Sequence, residues 1–468
     1  MSQRKCMLIF LCISFTAIFI IILLRIKTQK ARHRALWGDA FEKIDVEKQA
    51  LITIDAALNK SGSSELEIGQ AMLQKANCLI GMLRYDEGIQ ILKDLIDCFT
   101  DRDEPSLVEL TAKARLALCT LLFERSIIDE ESFEEANNIF EKLAQQCSHR
   151  DETTLLNLVT QAMFSKFEAL ENQADDQPEV KQPQAYQIAL EPLQAIIDLI
   201  TERDEEILVT RLIKAEQHKA QLLWWHLKRI DDALIGINNI IARFDKRHEL
   251  AIQEQIGKAL LFKSDIYDDE KSNFQDEINI YDDIVRRFQH SKDECLIALA
   301  MEAFLNKTRA FKFANKPSKA LSIIDEFIHK FAKQNNDPLF LILVEAHQLR
   351  GELLTELNRP EEAITAYNNA LSIFEARPYY AYVHLIIRLF TAKSELLLQQ
   401  KQPIEAILGY DKAIDICNDG ITNFMADPIT IIKNKAIKQL KENNQTTTIM
   451  SLKIKRFIRE YSLRYSLI

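Results

Sequence analysis

One spacing constrains this chain more than anything else in it. A small residue recurs along most of its length, and a large apolar residue or cysteine follows eleven positions later. The small positions are Gly88, Ala136, Ala189, Ala233, Glu277, Ala320, Ala363 and Ala406; the closing positions are Phe99, Cys147, Ile200, Phe244, Phe288, Phe331, Phe374 and Cys417. Successive copies lie 48, 53, 44, 44, 43, 43 and 43 residues apart. A period of this length means stacked supersecondary units, each too small to bury its apolar face alone. Glu277 breaks its column, so its repeat has either a looser contact or a local shift.

Within each period the apolar residues recur at helical spacing, as in Ile89, Leu92, Ile96 and Phe99. Pro317, Pro360 and Pro403 each stand three positions before the small residue. That is the first turn of a second helix, where proline's missing N–H costs nothing. A longer helical stretch precedes each, such as Leu339–Leu357. Small residues also lie twelve positions before the marker: Ala76 before Gly88, Gly351 before Ala363, Ser394 before Ala406. Two helices that cross at these points approach closely, whereas large side chains would push them apart. With only 10 Gly and 10 Pro in 468 residues, the chain lacks the turn formers of a β-sandwich or propeller. Two intervals are longer for visible reasons. Glu124–Ser132 extends one turn, and the polar, Pro178- and Pro183-bearing stretch Glu171–Gln184 reads as an inserted loop.

The run Glu362-Ala363-Ile364-Thr365-Ala366-Tyr367-Asn368-Asn369-Ala370-Leu371, with Tyr410 and Ala413 in the matching places, resembles the tetratricopeptide repeat family. The resemblance covers residues 63–420 and is strongest over Gly351–Phe374. It departs from the family in period, 43–44 instead of 34, and in the bulky residues at most positions matching Ala370. HEAT-type helical repeats also have periods in this range, but the proline entry to the second helix favours the first family. The resemblance implies an all-α, right-handed α-solenoid of about eight helical hairpins whose first helices line a peptide groove. By the family pattern that groove presents Glu302, Leu305, Arg309 and Lys312, then Glu345, Gln348, Glu352 and Thr355, then Arg388, Thr391 and Glu395. Some family members grip a C-terminal carboxylate; only Asn306, Arg309 and Lys312 match that set, and only in part.

No pattern for catalysis accompanies the repeats. GxxxxGK[ST], GxGxxG and HExxH are absent, and the nine histidines form no ligand-like spacing. The clusters Asp101/Asp103/Glu104, Asp129–Glu131, Asp204–Glu206, Asp268–Glu270 and Asp282/Asp283 fall at turns and helix starts, where carboxylates cap and suit the helix dipole. No cofactor, metal or enzymatic activity is expected. Cys78, Cys98, Cys119, Cys147, Cys295 and Cys417 are scattered along apolar helix faces without a CxxC, as buried free thiols would be. Of Trp224 and Trp225, core packing is the expected role.

The ends differ from the middle. Residues 1–35 carry a net +7, residues 430–468 a net +7, and the stretch between them −24. Cys6–Leu24 is 19 residues without a charge, Gly or Pro, which as helix spans about 28 Å, close to a hydrocarbon core. It is too long for a signal-peptide core and has no small-residue cleavage site. A single-pass anchor is therefore expected, in a bacterial inner membrane on the chain's Ile/Lys/Asn/Phe-rich usage. Five basic residues following the run favour a cytoplasmic body; Arg4 and Lys5 before it leave an exported, periplasmic body as the alternative. The expected division is an anchor at 1–35, a connecting helix at 36–62, the solenoid at 63–420 and basic capping helices at 421–468. The basic tail could also lie on anionic lipid. With a net charge of −10, nucleic acid is not an expected partner. These features point to a membrane-anchored scaffold or adaptor that binds other proteins. The alternatives are a structural subunit of a membrane or secretion complex, or a chaperone-like protein if the body is exported.

Overall fold

The computed structural model describes residues 50–55, 62–126, 130–147, 152–270, 274–333, 339–374 and 382–418, with 430, 433, 434, 437 and 438 beyond them. The apolar run Cys6–Leu24 and the basic stretch Ile449–Ile468 lie outside the described residues. The described residues are helical, without a strand, and the chain divides into two compact units, residues 1–229 and 230–468. The first unit holds α1 (Glu65–Gly81), α2 (Tyr85–Phe99), α3 (Pro105–Arg125), α4 (Glu130–Cys147), α5 (Thr153–Asp175), α6 (Gln182–Ile200) and α7 (Glu206–Trp225). The second holds α8 (Ile230–Phe244), α9 (Leu250–Glu270), α10 (Phe274–Phe288), α11 (Glu294–Phe313), α12 (Pro317–Phe331), α13 (Leu339–Glu356), α14 (Pro360–Phe374), α15 (Val383–Gln399) and α16 (Pro403–Asn418). Among the described residues no helix is long and apolar enough to cross a membrane.

Five of the hairpins form because the chain reverses in the same way. Leu83, Lys228, Asn315, Asn358 and Lys401 all have positive φ, between 55° and 61°, and each stands two residues before a second helix. In four of the five turns two backbone bonds close the reversal. Asn358 N–H donates to Thr355 O at 3.0 Å and Arg359 N–H to Leu354 O at 2.8 Å; the bonds at Leu83/Arg84, Asn315/Lys316 and Lys401/Gln402 are equivalent. This is a Schellman stop built without glycine. Asn, which tolerates the left-handed conformation, holds two of these places, and Leu or Lys holds the other three. Pro317, Pro360 and Pro403 then open the next helix, as the sequence predicts.

The two helices of a hairpin bury different amounts of themselves. Second helices are one-sided: α14 buries Ala363, Ala366, Tyr367, Ala370 and Phe374, a single stripe. First helices are enclosed on several sides, and α11 buries eleven of its twenty residues. The reason is connectivity. Several first helices pack on their own partner and also on the first helix of the next hairpin, as α9 does on α11 and α11 on α13. First helices therefore line one face of the unit, called here the inner face. In two hairpins the closing phenylalanine packs edge-to-face on the first helix: Phe331 on Phe304 at 5.9 Å and Phe374 on Phe340 at 6.1 Å between centroids. Each buried phenylalanine contributes about 2–3 kcal/mol from area alone.

The small residues stand at the crossings. A Cβ on Gly351 would lie 2.7 Å from the Tyr367 ring, and one on Gly88 would lie 3.3 Å from the Ala76 carbonyl oxygen. Ser394, fully buried, sits against Gly409. The irregular repeat resolves as a shift. In α9 the fully buried residue is Ser264, thirteen positions before Glu277, whereas Asp265 at the expected spacing is exposed.

Several expectations need correction. Glu171–Gln184 is not a loop: α5 runs to Asp175 and α6 starts at Gln182, leaving a turn at 176–181. Its length is absorbed in longer helices, and Tyr186 stacks on His226 at 3.8 Å. Cys98 and Cys295 are exposed, unlike Cys119 and Cys147. Trp224 is buried, but Trp225 is 51% exposed. At the chain's end, Lys433 pairs with Asp411 at 3.2 Å, and Ile437 packs with Ile407, Ile404 and Leu408.

Gly351→Ala forces the Tyr367 ring to move within a packed hairpin. We expect a loss of about 1–3 kcal/mol in the stability of the second unit, measured by urea unfolding; an unchanged midpoint would contradict the close crossing.

Candidate inner-face site of the second unit

The nine residues expected on the groove all belong to α11, α13 and α15, and the structure joins most of them into one polar network. Arg309 on α11 donates to Glu345 on α13 at 2.8 Å and to Asn306 on its own helix at 2.8 Å. One turn on, Lys312 donates to Glu352 at 2.7 Å and lies 3.3 Å from Glu356. Gln348 donates to the other Glu352 oxygen at 2.9 Å. Arg388 on α15 is near enough to help stabilise the Glu352 charge. Burial alone would push the Glu352 carboxyl up, but Lys312, Gln348 and Arg388 together hold it below its ordinary value. Burial likewise opposes the Lys312 charge, and Glu352 and Glu356 outweigh it.

The remaining three stand apart. Thr391 turns back to its own helix, donating to Ile387 O at 2.8 Å. Glu302 and Glu395 are both exposed and make no hydrogen bond or ion pair among the described residues; partial loss of hydration raises both carboxyls, and at Glu302 the attraction of Arg309 is set against the repulsion of Glu345. Leu305, expected on the groove, is 2% exposed and belongs to the core. Thr355 is tied to Gly351 O at 2.7 Å. Of the residues in the partial match to a carboxylate-gripping set, Arg309 pairs with Glu345 and Lys312 with Glu352.

Two contributors escaped sequence reasoning. Glu356 is a second acceptor for Lys312, signalled only by its position one turn after Glu352. Asp265, exposed but crowded by its neighbours, extends the row onto α9, where partial loss of hydration and the charges of Glu302 and Asp268 push it up to about 6. Behind it Glu277, 4% exposed and hydrogen-bonded to Tyr281, is pushed up to about 7 by burial and by Asp268 and Asp265. The linked residues are nearly balanced in charge, Glu345, Glu352 and Glu356 against Arg309 and Lys312 with Arg388 nearby; Glu302 and Glu395 are further acids on the same helices.

The first unit's inner face is linked by hydroxyl and amide groups and one guanidinium, with no ion pair joining α3 to α5 or α5 to α7 among the described residues. Thr120 and Ser165 hydroxyls meet at 3.0 Å, and Arg211 donates to the Asn157 side chain at 3.1 Å. A separate hollow of about 630 Å³ in that unit is lined by Leu83, Tyr85, Ile89 and Leu121 among charged neighbours. Among the described residues no group of three or more His, Cys, Asp or Glu is placed to hold a metal ion.

No protein-family model matches the chain, and no curated protein matches it. Solved structures similar to it include the apo form of the quorum sensor NprR from B. thuringiensis. That pair is 12% identical, covering 79% of this chain and 98% of the other, with a TM-score of 0.39. The apo form of RapI is 11% identical, covering 80% and 99%, with a TM-score of 0.42. A tetratricopeptide repeat protein from Parabacteroides merdae is 14% identical, covering 63% and 98%, with a TM-score of 0.32.

The Glu277 cluster makes the second unit sensitive to pH. Its folded-state pKa of about 7 lies above the ordinary carboxyl value, so between roughly pH 4.5 and 7 the folded state holds a proton that the unfolded state has lost. Stability then falls as pH rises through that window. We expect the second unit to be about 2 kcal/mol less stable at pH 8 than at pH 5, with Glu277→Gln removing most of the difference. Urea midpoints at the two pH values check this; a variant that keeps the full difference would exclude Glu277 as its source.

Proposed function

We propose that this protein is a membrane-anchored scaffold of the tetratricopeptide type, which binds other proteins through the inner face of its helical hairpins and carries out no chemistry itself. One observation carries the proposal. Two successive first helices of the second unit, α11 and α13, are joined by the polar pairs Arg309–Glu345 and Lys312–Glu352, whose side chains stay partly exposed. A row of this kind offers a partner fixed charges at intervals set by hairpin stacking, which suits an extended peptide or a single helix. Glu302, Arg309, Lys312, Glu345, Gln348, Glu352, Arg388, Thr391 and Glu395 are the residues proposed to face it.

The run Cys6–Leu24 is proposed as a single-pass anchor, in a bacterial inner membrane, with the body in the cytoplasm and residues 63–420 forming the repeat array. Residues 421–468 are proposed to cap it, in keeping with Ile437 against Ile407 and Lys433 beside Asp411. Partners then meet the protein at a membrane surface, where tethering raises their effective concentration for one another.

A photo-crosslinking amino acid at Gln348, on the inner face, and another at exposed Thr365 on α14 separate the two faces of the hairpin. Irradiated in native membranes, the full chain should yield a discrete crosslinked protein from position 348 and none from 365. Identical products from both positions, or none from either, would count against a binding inner face.

A further inference from the structure

The charge on the inner face of the second unit changes sign from one pair of first helices to the next. Ser264, Thr308 and Gly351 are buried at the crossings of α9, α11 and α13, 44 and 43 residues apart, and they set the three helices in register. In that register Asp265 and Asp268 of α9 hold the places of Arg309 and Lys312 of α11, and Glu302 of α11 holds the place of Glu345 of α13. α9 packs on α11 as α11 packs on α13. Where the later pair of helices has the Arg309–Glu345 bond, at 2.8 Å, the earlier pair therefore sets Asp265 opposite Glu302, carboxylate against carboxylate.

The cations of these two helices are engaged elsewhere. Lys258 pairs with Glu254, Lys263 lies over the Tyr267 ring, Lys307 pairs with Asp282, Arg309 with Glu345 and Lys312 with Glu352. Asp265, Asp268 and Glu302 are exposed and have no ion pair among the described residues. Behind Asp265, in the column that holds a small residue in the other hairpins, stands Glu277, 4% exposed, with Tyr281 as its hydrogen-bond partner and no cation. Partial loss of hydration and then the charges of Glu302 and Asp268 raise the Asp265 carboxyl, as a neighbouring like charge does. Exposure leaves the facing pair open to a partner. An ammonium or guanidinium set between Asp265 and Glu302 exchanges their repulsion for charge-assisted hydrogen bonds to both.

We infer that Asp265 and Glu302 together form a seat for a lysine or arginine side chain of the partner, whose basic segment lies over α9 and α11 and not over α11 and α13. The inference rests on the proposed scaffold role and adds the partner's chemistry and its placement along the inner face. Charge complementarity selects the occupant. The α9–α11 stretch offers three exposed carboxylates with Glu277 behind them, whereas on the α11–α13 stretch Glu345, Glu352 and Glu356 already face Arg309 and Lys312. The equivalent carboxylate, Glu345, takes a guanidinium from within the chain; at Glu302 the cation has to come from outside. One exposed carboxylate holds a cation weakly, but two on packed helices fix its position as well as its charge.

The test uses the full chain in detergent micelles and short fluorescein-labelled peptides, read by anisotropy at about 150 mM salt to screen distant charges. A peptide of alternating lysine and serine should bind, and one of alternating glutamate and serine should not. Asp265→Asn and Glu302→Gln each remove one side of the seat and should weaken binding about tenfold. The double variant should lose little more than either single one, because both act on the same bound cation. Asp265→Arg rebuilds the Arg309–Glu345 bond one period earlier, fills the seat from within and should weaken binding at least as much. Glu361→Arg, with the same change in charge on the exposed surface of α14, should leave affinity within about twofold. The far-ultraviolet circular dichroism of every variant should match the parent. Equal effects from Asp265→Arg and Glu361→Arg would mean general attraction to an acidic body and would overturn the seat. So would fully additive losses in the double variant, an affinity unchanged by Asp265→Asn, or no binding of the lysine peptide to the parent chain. A native protein crosslinked at Gln348 in undiminished yield by the Asp265→Arg chain would also remove the seat while leaving the scaffold role in place.

Discussion

Everything in the second unit depends on how closely two helices can cross. Gly351 lets the Tyr367 ring lie against α13, and Ser394 fits beneath Gly409 in the next hairpin. These contacts set the rotation of each second helix about its partner. That rotation decides which stripe of the first helix is left for the inner face. With the crossing fixed in successive hairpins, residues one period apart arrive in equivalent places. Lys312 can then find Glu352 from one first helix to the next. The polar row is a consequence of apolar packing; exposed ion pairs of this kind contribute about 0–1 kcal/mol each and could not impose the register themselves.

The crossing also explains the composition. A hairpin repeat usually takes glycine where the chain reverses, because the left-handed conformation there favours it. This chain places Asn, Lys or Leu at those positions and keeps Gly88, Gly351 and Gly409 for close approach. Residues in strained turns are tolerated because the reversal is over-determined: two backbone bonds close it, and in three hairpins a proline fixes the next φ. At Gly88, Gly351 and Gly409 an added Cβ would meet a ring or a neighbouring helix, whereas other hairpins hold Ala or Ser at the equivalent crossings.

Much of the fold was legible in the sequence because it rests on periodic apolar and small residues. The helical hairpins, the proline entries and the crossings at Ala76/Gly88 and Gly351/Ala363 follow from spacing alone. Glu171–Gln184 was misread as a loop because its polarity is that of exposed helix ends, which composition cannot separate from a turn. Ser264 was missed because the added residue lies in α9, while the spacing had been anchored on second helices. At the candidate site, sequence could place Arg309, Lys312, Glu345 and Glu352 on one face. It could not say which of them satisfy one another, because that depends on side chains reaching between helices about forty residues apart. Leu305 shows the same limit in reverse: a position on the lining stripe turned into the core.

Excising one whole period tests the dependence on the crossing most directly. Removing residues 360–402 joins Arg359 to Pro403 and brings α13 against α16, with Gly351 facing Tyr410 in place of Tyr367. The shortened chain should keep its helicity per residue and a cooperative urea transition for the second unit, because every crossing retains its small partner. A deletion three residues shorter, 360–399, puts the register out and should lose that cooperativity. If the full-period deletion unfolds the unit, or if both deletions behave alike, the crossings do not set the repeat.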